Sequence, residues 1–394
     1  MELRPVRAIV DLDSLASNFH TIQKGLPRGC RPMPVVKADA YGHGAAPCAL
    51  RLQREGASIL AVAVVEEGVE LRRAGVTVPI LVMGWIGPGQ LDTLVDHWLT
   101  PNVHSGEQLA ELLEFVEARG LRLAVHLKLD TGMTRLGVLP ADLPSVIGLL
   151  GRGERRIWLE GVFQNYASSD EAGAAQTAEQ TKVFLQGLRA LRAAGHRPSM
   201  IHVANSGATL HPPDFPRGED SDLSPTHVRP GLALYAPVPG LPHEGLSDVM
   251  SFVSVIDQVK RVPGGTHVGY GGAFVAARES LLAIVPGGYA DGIPRSLSGR
   301  GVVLVEGTRC PLAGRVSMDL MAVDVTDLGR APARGDEVVF FGRRGGARLG
   351  VEEVAAAAGT VAWELLCGVG PRVPRVIVET GSVPSIQSKF LESV

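Results

Sequence analysis

The stretch PVVKADAYGHG (residues 34–44) joins a strand signal to a potentially reactive side chain. Its first residues are apolar and β-branched, which favours a strand that ends at Lys37, and the glycines that follow favour a turn. The chain has six lysines among its 38 basic residues, so a lysine at this position stands out. A lysine held in an apolar pocket has a lowered pKa and becomes an amine nucleophile, whereas one that reaches solvent is only a surface charge. For Lys37 the residues alone leave both alternatives open.

Outward from this stretch, strand-like runs alternate with helical patterns from about residue 11 to residue 240. The first helix is expected to end at Gly25 and to be capped by Asp13 or Ser14. Eight apolar runs are predicted as strands: Pro34–Lys37, Ser58–Val65, Pro79–Met83, Pro101–His104, Leu121–Leu129, Ile157–Tyr166, Met200–Ala204 and Gly231–Tyr235. Eight strand–helix units of this length predict a parallel (β/α)8 TIM barrel over residues 11–240.

The pattern changes after the turn-forming residues 237–240. Strand signals then follow one another with a single helix, Val351–Ala358, between them: Ser251–Val262, Ser280–Val285, Gly301–Glu306, Met318–Val325, Glu337–Phe341 and Val376–Glu379. This predicts a mainly-β C-terminal domain over residues 241–394, so the whole chain is of the α/β class. The N-terminal strand within residues 1–10 precedes the barrel and is expected to join that second domain.

Composition excludes several classes of function. The net charge is −3 and no basic run or tail occurs, so nucleic acid is not an expected partner. No uncharged apolar segment reaches the length of a membrane span, and the charged side chains within residues 1–14 exclude an apolar signal-peptide core there. This indicates a cytoplasmic protein without a membrane partner. The four cysteines are far apart, so neither a disulfide framework nor a metal site is expected.

The C-terminal ends of the predicted barrel strands carry polar residues, and enzymes with this fold place their chemistry there. Besides Lys37, the candidates are Asp130–Arg135, Asn165 with Tyr166, Asn205–Gly207, and Arg229–Gly231. Phosphate groups in such barrels commonly bind the loops after strands seven and eight. Ser206 and the backbone amides near Gly231 and Leu232 are therefore phosphate candidates, although serine and glycine also serve as ordinary turn or cap residues.

Several of these segments resemble those of alanine racemases. Besides PVVKADAYGHG, they are HLKLDTGMTRLG (126–137), HVANSGAT (202–209) and VRPGLALYA (228–236). The order of a barrel and then a β domain also matches that family over nearly the whole chain. The resemblance implies the cofactor pyridoxal 5′-phosphate (PLP), with Lys37 forming a Schiff base to it, Tyr41 and Ser206 contacting its phosphate, and Gly231 and Leu232 providing backbone amides.

The resemblance also implies roles for three basic side chains. Arg135 falls on an arginine near the cofactor's phenolic oxygen and the substrate carboxylate. Lys128 falls on a lysine that is carbamylated in some members and steadies that arginine. Arg229 falls on the arginine that faces the pyridine nitrogen of PLP. Because a guanidinium can only donate a hydrogen bond, that nitrogen stays unprotonated, which favours simple proton exchange over transamination.

Racemisation by two bases needs a proton carrier on each face of the substrate α-carbon. The segment HVGYGG (267–272) resembles the family's tyrosine motif, which makes Tyr270 the second base beside Lys37 and implies that it comes from the partner subunit of a homodimer. Without the resemblance, a packed strand aromatic is the alternative for Tyr270. Two further matching segments imply that the backbone N–H of Met318 contacts the substrate carboxylate. They also imply a corridor to the site lined by Tyr289, Arg295 and Arg315.

The chain departs from the family pattern around the expected pocket. Asn165 stands where the family usually has a histidine flat against the cofactor ring. Trp363 stands where a tyrosine usually meets the phosphate, and an indole N–H can donate but not accept. The usual Tyr-Arg-Val-Pro-Arg is replaced by PRVPR (371–375). These changes concern the choice of substrate more than the reaction.

The leading hypothesis is PLP-dependent racemisation of alanine by a homodimer, supplying D-alanine for peptidoglycan. One alternative is the same chemistry on serine, lysine or a broad set of amino acids, since asparagine in the place of Asn165 also occurs in broad-specificity racemases. A more distant one is a barrel-type PLP decarboxylase, although Ser206-Gly207-Ala208 occupies the place of that class's glycine-triplet loop. A PLP carrier protein is the non-enzymatic alternative, but such relatives lack the second domain.

Overall fold

The structure is a computed structural model. It describes residues 4–171, 174–212, 223–238, 240–241 and 244–387. The chain begins with strand β1 (Arg7–Asp11) and helix α1 (Leu12–Gly25). Asp11, rather than the predicted Asp13 or Ser14, caps the helix, because its Oδ1 accepts hydrogen bonds from the N–H groups of both residues at 2.9 and 3.2 Å. The prediction placed the cap too late because all three residues are suitable capping types.

Eight parallel strands form the barrel. In chain order they are β2 (Arg31–Pro32), β3 (Leu60–Val62), β4 (Ile80–Val82), β5 (Leu99–Val103), β6 (Leu123–Lys128), β7 (Ile157–Phe163), β8 (Met200–His202) and β9 (His227–Val228). Hydrogen bonding follows the order β2-β9-β8-β7-β6-β5-β4-β3. A parallel bridge between Val35 and Ala61 joins the two ends of this path. The predicted barrel is therefore confirmed.

The longer helices cover the outside of these strands, and they bury an apolar stripe there. In α6, for example, the buried residues Leu109, Leu112, Leu113 and Val116 recur at helical spacing. The barrel helices are α2 (Lys37–Gly42), α3 (Ala45–Arg54), α4 (Val65–Arg73), α5 (Leu91–Asp96), α6 (Gly106–Arg119), α7 (Leu143–Arg152), α8 (Ala175–Ala193), α9 (Ser206–Leu210) and α10 (Leu232–Tyr235). Among the described residues, no helix has the length and apolar character that a membrane span requires.

The second part of the chain is mainly β, as predicted. Its strands are β10 (Met250–Val255), β11 (Gln258–Val262), β12 (His267–Val268), β13 (Phe274–Val275), β14 (Ser280–Pro286), β15 (Val302–Val305), β16 (Thr308–Pro311), β17 (Leu320–Asp324), β18 (Glu337–Arg344), β19 (Ala347–Leu349), β20 (Arg375–Val378) and β21 (Ser385–Gln387). The largest sheet has the order β16-β15-β18-β10-β1-β20-β21, with β19 on β18. Strand β1 lies inside it, antiparallel to β10 and parallel to β20. The start of the chain is thus built into the sheet of the second part.

Other local predictions were also wrong. The segment Gly231–Tyr235, predicted as the eighth strand, contains the helical turn α10, because Ser206 Oγ binds the N–H groups of Gly231 and Ala233 and leaves neither for a strand partner. The strand is β9, just before Arg229. The second part also contains two helices instead of one, α11 (Val351–Ala358) and α12 (Ala362–Gly368).

Candidate active site

A cavity of about 360 Å³ opens at the C-terminal ends of the barrel strands. This volume lies within the range of small-molecule sites. Nine residues that the sequence selected line it: Lys37, Tyr41, Lys128, Arg135, Asn165, Asn205, Ser206, Arg229 and Gly231. The other lining residues are Val35, Ala63, Met83, Gly84, Leu136 and Phe163. Leu232 is buried but does not line the cavity. Residues far apart in sequence therefore converge on one basic, partly apolar chamber.

Lys37 reaches this cavity from an unusual backbone. It was predicted to end a strand, but it begins α2, in which Ala38, Asp39, Ala40 and Tyr41 have φ values of 52 to 55°. These are left-handed helical angles, which cost L-residues roughly 1–2 kcal/mol each. Gly42 continues the turn at φ 82°, and a Cβ there would lie 2.2 Å from the carbonyl oxygen of Leu366 in α12. The turn is thus strained and packed directly against the second part of the chain.

The surroundings make Lys37 a better nucleophile than an exposed lysine. Burial is the main reason why the pKa of Lys37 is lowered, and the positive charge of Arg135 lowers it further. Burial together with Arg135 and Arg229 also lowers the pKa of Lys128, to about 8. Because a lower pKa increases the fraction of neutral amine at neutral pH, Lys37 is suited to attack a carbonyl carbon.

Arg229 follows β9 and is fixed from behind by polar groups. Its Nη1 donates to the backbone oxygen of His202 at 2.5 Å and to His202 Nδ1 at 3.0 Å, and its Nη2 donates to the backbone oxygen of Gln164 at 2.5 Å. Its guanidinium lies 5.2 Å from the ring centroid of Phe163. Burial lowers the pKa of Arg229, but a guanidinium keeps its charge at neutral pH. The arrangement presents a fixed hydrogen-bond donor to the cavity.

The opposite side of the cavity offers donors that suit a phosphate. Ser206 Oγ accepts hydrogen bonds from Gly231 N–H at 3.0 Å and from Ala233 N–H at 3.2 Å, at the start of α10. A Cβ on Gly231 would lie 2.3 Å from the hydroxyl oxygen of Tyr41, so the backbone must be glycine for the phenol to approach. Burial raises the pKa of Tyr41, which keeps its hydroxyl protonated and able to donate. Hydroxyl and backbone N–H donors of this kind bind phosphate oxygens.

The loop after β6 carries Arg135 into the cavity. Asp130 Oδ1 accepts hydrogen bonds from the backbone N–H groups of Gly132, Met133 and Thr134 at 3.0 to 3.1 Å. This carboxylate holds Thr134 in a left-handed conformation, with φ 54°. Asn165 Nδ2 donates to the backbone oxygen of Tyr166 at 3.0 Å and to Met133 Sδ of this loop at 3.2 Å. Local hydrogen bonds therefore fix the loop that carries Arg135 and the side chain of Asn165, and both residues line the cavity.

Three of the residues singled out in the second part lie elsewhere in the single chain. Tyr270 is 70% exposed and Met318 is 52% exposed, and neither lines the cavity. Trp363 is half-exposed on α12 and is also absent from the lining. Arg315 lies close to the backbone beside Tyr270. If the neighbouring Gly271 had a Cβ, that atom would be 3.4 Å from the Arg315 guanidinium.

Sequence reasoning missed several residues that shape the site. Glu67 accepts a hydrogen bond from the backbone N–H of Ala38, inside the lysine turn. His202 accepts from Arg229 and contacts His126 Nδ1 through its Nε2 at 2.8 Å. Glu67 lies just beyond the end of a strand, as catalytic residues of barrels do, and this position was the available signal. The inward-facing His126 and His202 gave no signal beyond their position on predicted strands.

Comparison with known proteins places the chain in a family. The sequence model "Alanine racemase, N-terminal domain" matches residues 10–239, and "Alanine racemase, C-terminal domain" matches residues 249–377. The chain belongs to the alanine racemase family. It is therefore an isomerase, as the sequence analysis expected.

Individual relatives of the family cover nearly the whole chain. The alanine racemase of Desulfovibrio desulfuricans is 40% identical over 380 residues, which are 95% of this chain and 99% of the relative. The solved alanine racemase of Streptomyces lavendulae is 37% identical, with a TM-score of 0.88, over 96% of this chain and 98% of that one. A Bartonella henselae alanine racemase, 28% identical over 95% of this chain and 99% of its own, has a TM-score of 0.84 and was solved with covalently bound pyridoxal phosphate.

Proposed function

We propose that the protein is a PLP-dependent racemase that interconverts L-alanine and D-alanine and so supplies D-alanine for peptidoglycan in the cytoplasm. The observation that carries this proposal is the convergence of Lys37, Tyr41, Ser206 and Arg229 on one cavity. The lowered pKa of Lys37 supports it, because a neutral amine is the form that would bind the aldehyde of PLP covalently. Family membership makes alanine the first substrate to test.

The residues around the cavity fit PLP in chemistry as well as in number. Lys37 Nζ would bind the cofactor covalently, and Arg229 would donate to its pyridine nitrogen. Tyr41, Ser206 and the backbone amides of residues 231 and 232 would hold its phosphate. Asn165 would lie beside its ring. Bound in this way, PLP supplies an electron sink that stabilises negative charge on the substrate α-carbon.

The protein's own groups then orient the substrate and move its α-proton. Arg135 and the backbone N–H of Met318 would bind the substrate carboxylate. Tyr270 Oη would take the proton from the L-enantiomer, and Lys37 Nζ would take it from the D-enantiomer. Because Tyr270 and Met318 are exposed and do not line their own chain's cavity, both would come from the partner subunit of a homodimer.

A second candidate is racemisation of a larger or broader set of amino acids. Asn165 favours it, because this amide lines the cavity where the family usually has a larger aromatic imidazole. An uncharged, smaller side chain leaves more room beside the ring and stacks on it less strongly.

Two measurements test the proposal. Borohydride reduction of the holoenzyme followed by peptide mapping should recover the cofactor on Lys37, and recovery on another lysine would overturn the assignment. Exchange of the α-proton in D₂O, measured across a panel of L-amino acids, should be fastest for alanine. Faster exchange of serine, lysine or another member of the panel would instead support the second candidate.

A further inference from the structure

A carboxylate outside the cavity joins the lysine turn to the neighbouring barrel strand. Glu67 lies in the first turn of α4. Its Oε1 accepts a hydrogen bond from the N–H of Ala38 at 2.6 Å, inside the left-handed turn. Its Oε2 accepts from the N–H groups of Ala63 at 2.7 Å and Val64 at 3.3 Å, just after β3. One side chain therefore ties the residue after Lys37 to the end of the adjacent strand.

A buried arginine holds the other end of the same turn. Arg375 Nε donates to the backbone oxygen of Gly42 at 3.0 Å. Its remaining donors bind the backbone oxygens of Val369, Gly370 and Val373 at 2.7 Å each. The turn is thus connected through Arg375 to the loop that follows α12 in the second part of the chain.

Four consecutive non-glycine residues in left-handed conformation persist only where the surroundings fix them. Charge-assisted hydrogen bonds at both ends are the strongest such contacts available to a backbone. We propose that Glu67 and Arg375 are positioning residues that hold the left-handed turn and thereby keep Lys37 inside the cavity. The importance of this position for catalysis rests on the function proposed above.

If Glu67 acted on Lys37 only through its charge, its loss would change the pKa of Lys37 in the opposite direction to the loss of a positioning residue. The charged or titratable groups that act on this amine are Arg135, Glu67, Cys367 and Arg229, and Lys128 also interacts with it. The negative charge of Glu67 by itself raises the pKa of Lys37. If charge were its only contribution, neutralising Glu67 would lower that pKa further. If Glu67 holds the turn, its loss lets the amine reach water and raises the pKa towards that of an ordinary lysine.

The apoprotein can separate these roles by competitive labelling of Lys37 with a limiting acylating reagent as a function of pH. In Glu67→Gln, only the amide oxygen can accept a hydrogen bond, and the amide NH2 would face backbone N–H groups, which are also donors. The side chain can then bind either the N–H of Ala38 or those of Ala63 and Val64, but not both. We expect the labelling midpoint to move to higher pH. Turnover of the holoenzyme should fall roughly 10–100-fold, the effect of one or two lost charge-assisted hydrogen bonds. A midpoint that falls or does not move would overturn the proposal.

A second variant keeps the negative charge at residue 67 but moves the carboxylate too far from the backbone N–H groups to bind all of them. Glu67→Asp shortens the side chain by one methylene, so a charge effect predicts no change, whereas the positioning role again predicts a higher midpoint. Arg375→Lys, which loses the fork of donors, should shift the midpoint in the same direction. Should Glu67→Gln fail to fold, these two variants decide the question, and an unshifted midpoint in both would contradict the proposal.

Glu66 provides the matched control. It lies in the same first turn of α4 and is exposed, and its Oε1 accepts a hydrogen bond from Gln90 at 2.8 Å, away from the lysine turn. Glu66→Gln should leave both the labelling midpoint and turnover unchanged. Because labelling needs neither cofactor nor substrate, it tests the positioning role even if the wild-type enzyme were found not to racemise alanine.

Discussion

The barrel cavity and the Tyr270 hairpin are built in opposite ways. In the cavity, Lys128 and Arg229 are buried, and the backbone that carries Lys37 is fixed by hydrogen bonds on both sides. The hairpin consists of the two-residue strands β12 and β13 around a short turn, with Gly269 and Gly271 at positive φ on either side of a largely exposed Tyr270. The chain therefore encloses one half of the proposed chemistry and presents the other half at its surface.

This difference explains why the second base would have to come from another molecule. An exposed tyrosine cannot act on a substrate bound in a cavity that it does not line, whereas the same tyrosine on the surface of a second subunit can close that cavity. The guanidinium of Arg315 near Gly271 adds a positive charge to the presented surface. We therefore expect substitutions in the Tyr270 hairpin to impair proton transfer and to leave cofactor binding in the cavity unchanged.

Replacement of the Tyr270 hydroxyl should have the largest effect. Tyr270→Phe keeps the ring and removes only the oxygen that carries the proton. We expect turnover to fall in both directions by about 10²–10⁴-fold, the usual contribution of a general acid–base group, while PLP still binds. Exchange of the α-proton of the D-substrate should be retained better than that of the L-substrate, because Lys37 alone serves the D-face. Equal loss of both exchange reactions would show that Tyr270 is not the L-face base.

A smaller effect should appear within the cavity, where a buried charge costs stability. Lys128 has a folded-state pKa of about 8, below that of an unfolded lysine. Between these two values the unfolded chain binds more protons, so stability should increase as pH rises from about 8 to about 10. Lys128→Met should therefore raise the free energy of unfolding of the apoprotein by about 1–3 kcal/mol at pH 7, and the advantage should disappear near pH 10.

Denaturant unfolding at several pH values measures this difference, and Lys260→Met on the exposed face of β11 is the control. The control should change stability by less than about 0.5 kcal/mol at every pH. A loss of stability in Lys128→Met at pH 7 would mean that Lys128 is not an unpaired buried cation, as expected if this lysine were carbamylated and carried a negative charge beside Arg135 and Arg229.

The two regions also differ in how far their structure followed from the sequence. The barrel was predictable because β-branched runs such as Ile80–Val82 alternate with helical patterns. The left-handed turn was not, since nothing in the intrinsic preference of Ala38 or Asp39 favours it, and it depends on contacts with Glu67 and Arg375 that are distant in sequence. Strand β9 was hidden for a related reason: it has two residues, and a longer apolar run follows it.

Within the site, sequence identified the residues whose chemistry is distinctive and missed those that support them. Lys37 and Arg229 were singled out by their residue type and by the resemblance of their segments to those of alanine racemases, and both line the cavity. Glu67, His126 and His202 were missed because their importance lies in particular hydrogen bonds, which a single sequence does not reveal. The domain boundary near residue 240 and the roles of the individual site residues, Tyr270 and Met318 among them, stay predictions.

The central claim is that each active site combines the cavity of one chain with the Tyr270 hairpin of another, and subunit mixing tests it most directly. Lys37→Ala and Tyr270→Phe chains, each nearly inactive alone, are mixed under conditions where subunit exchange is verified. A mixed dimer has one site with both bases intact, so activity should recover to about a quarter of the wild-type value. Mixing Lys37→Ala with a chain that carries both substitutions should restore nothing. Absence of recovery in the first mixture would contradict the shared site.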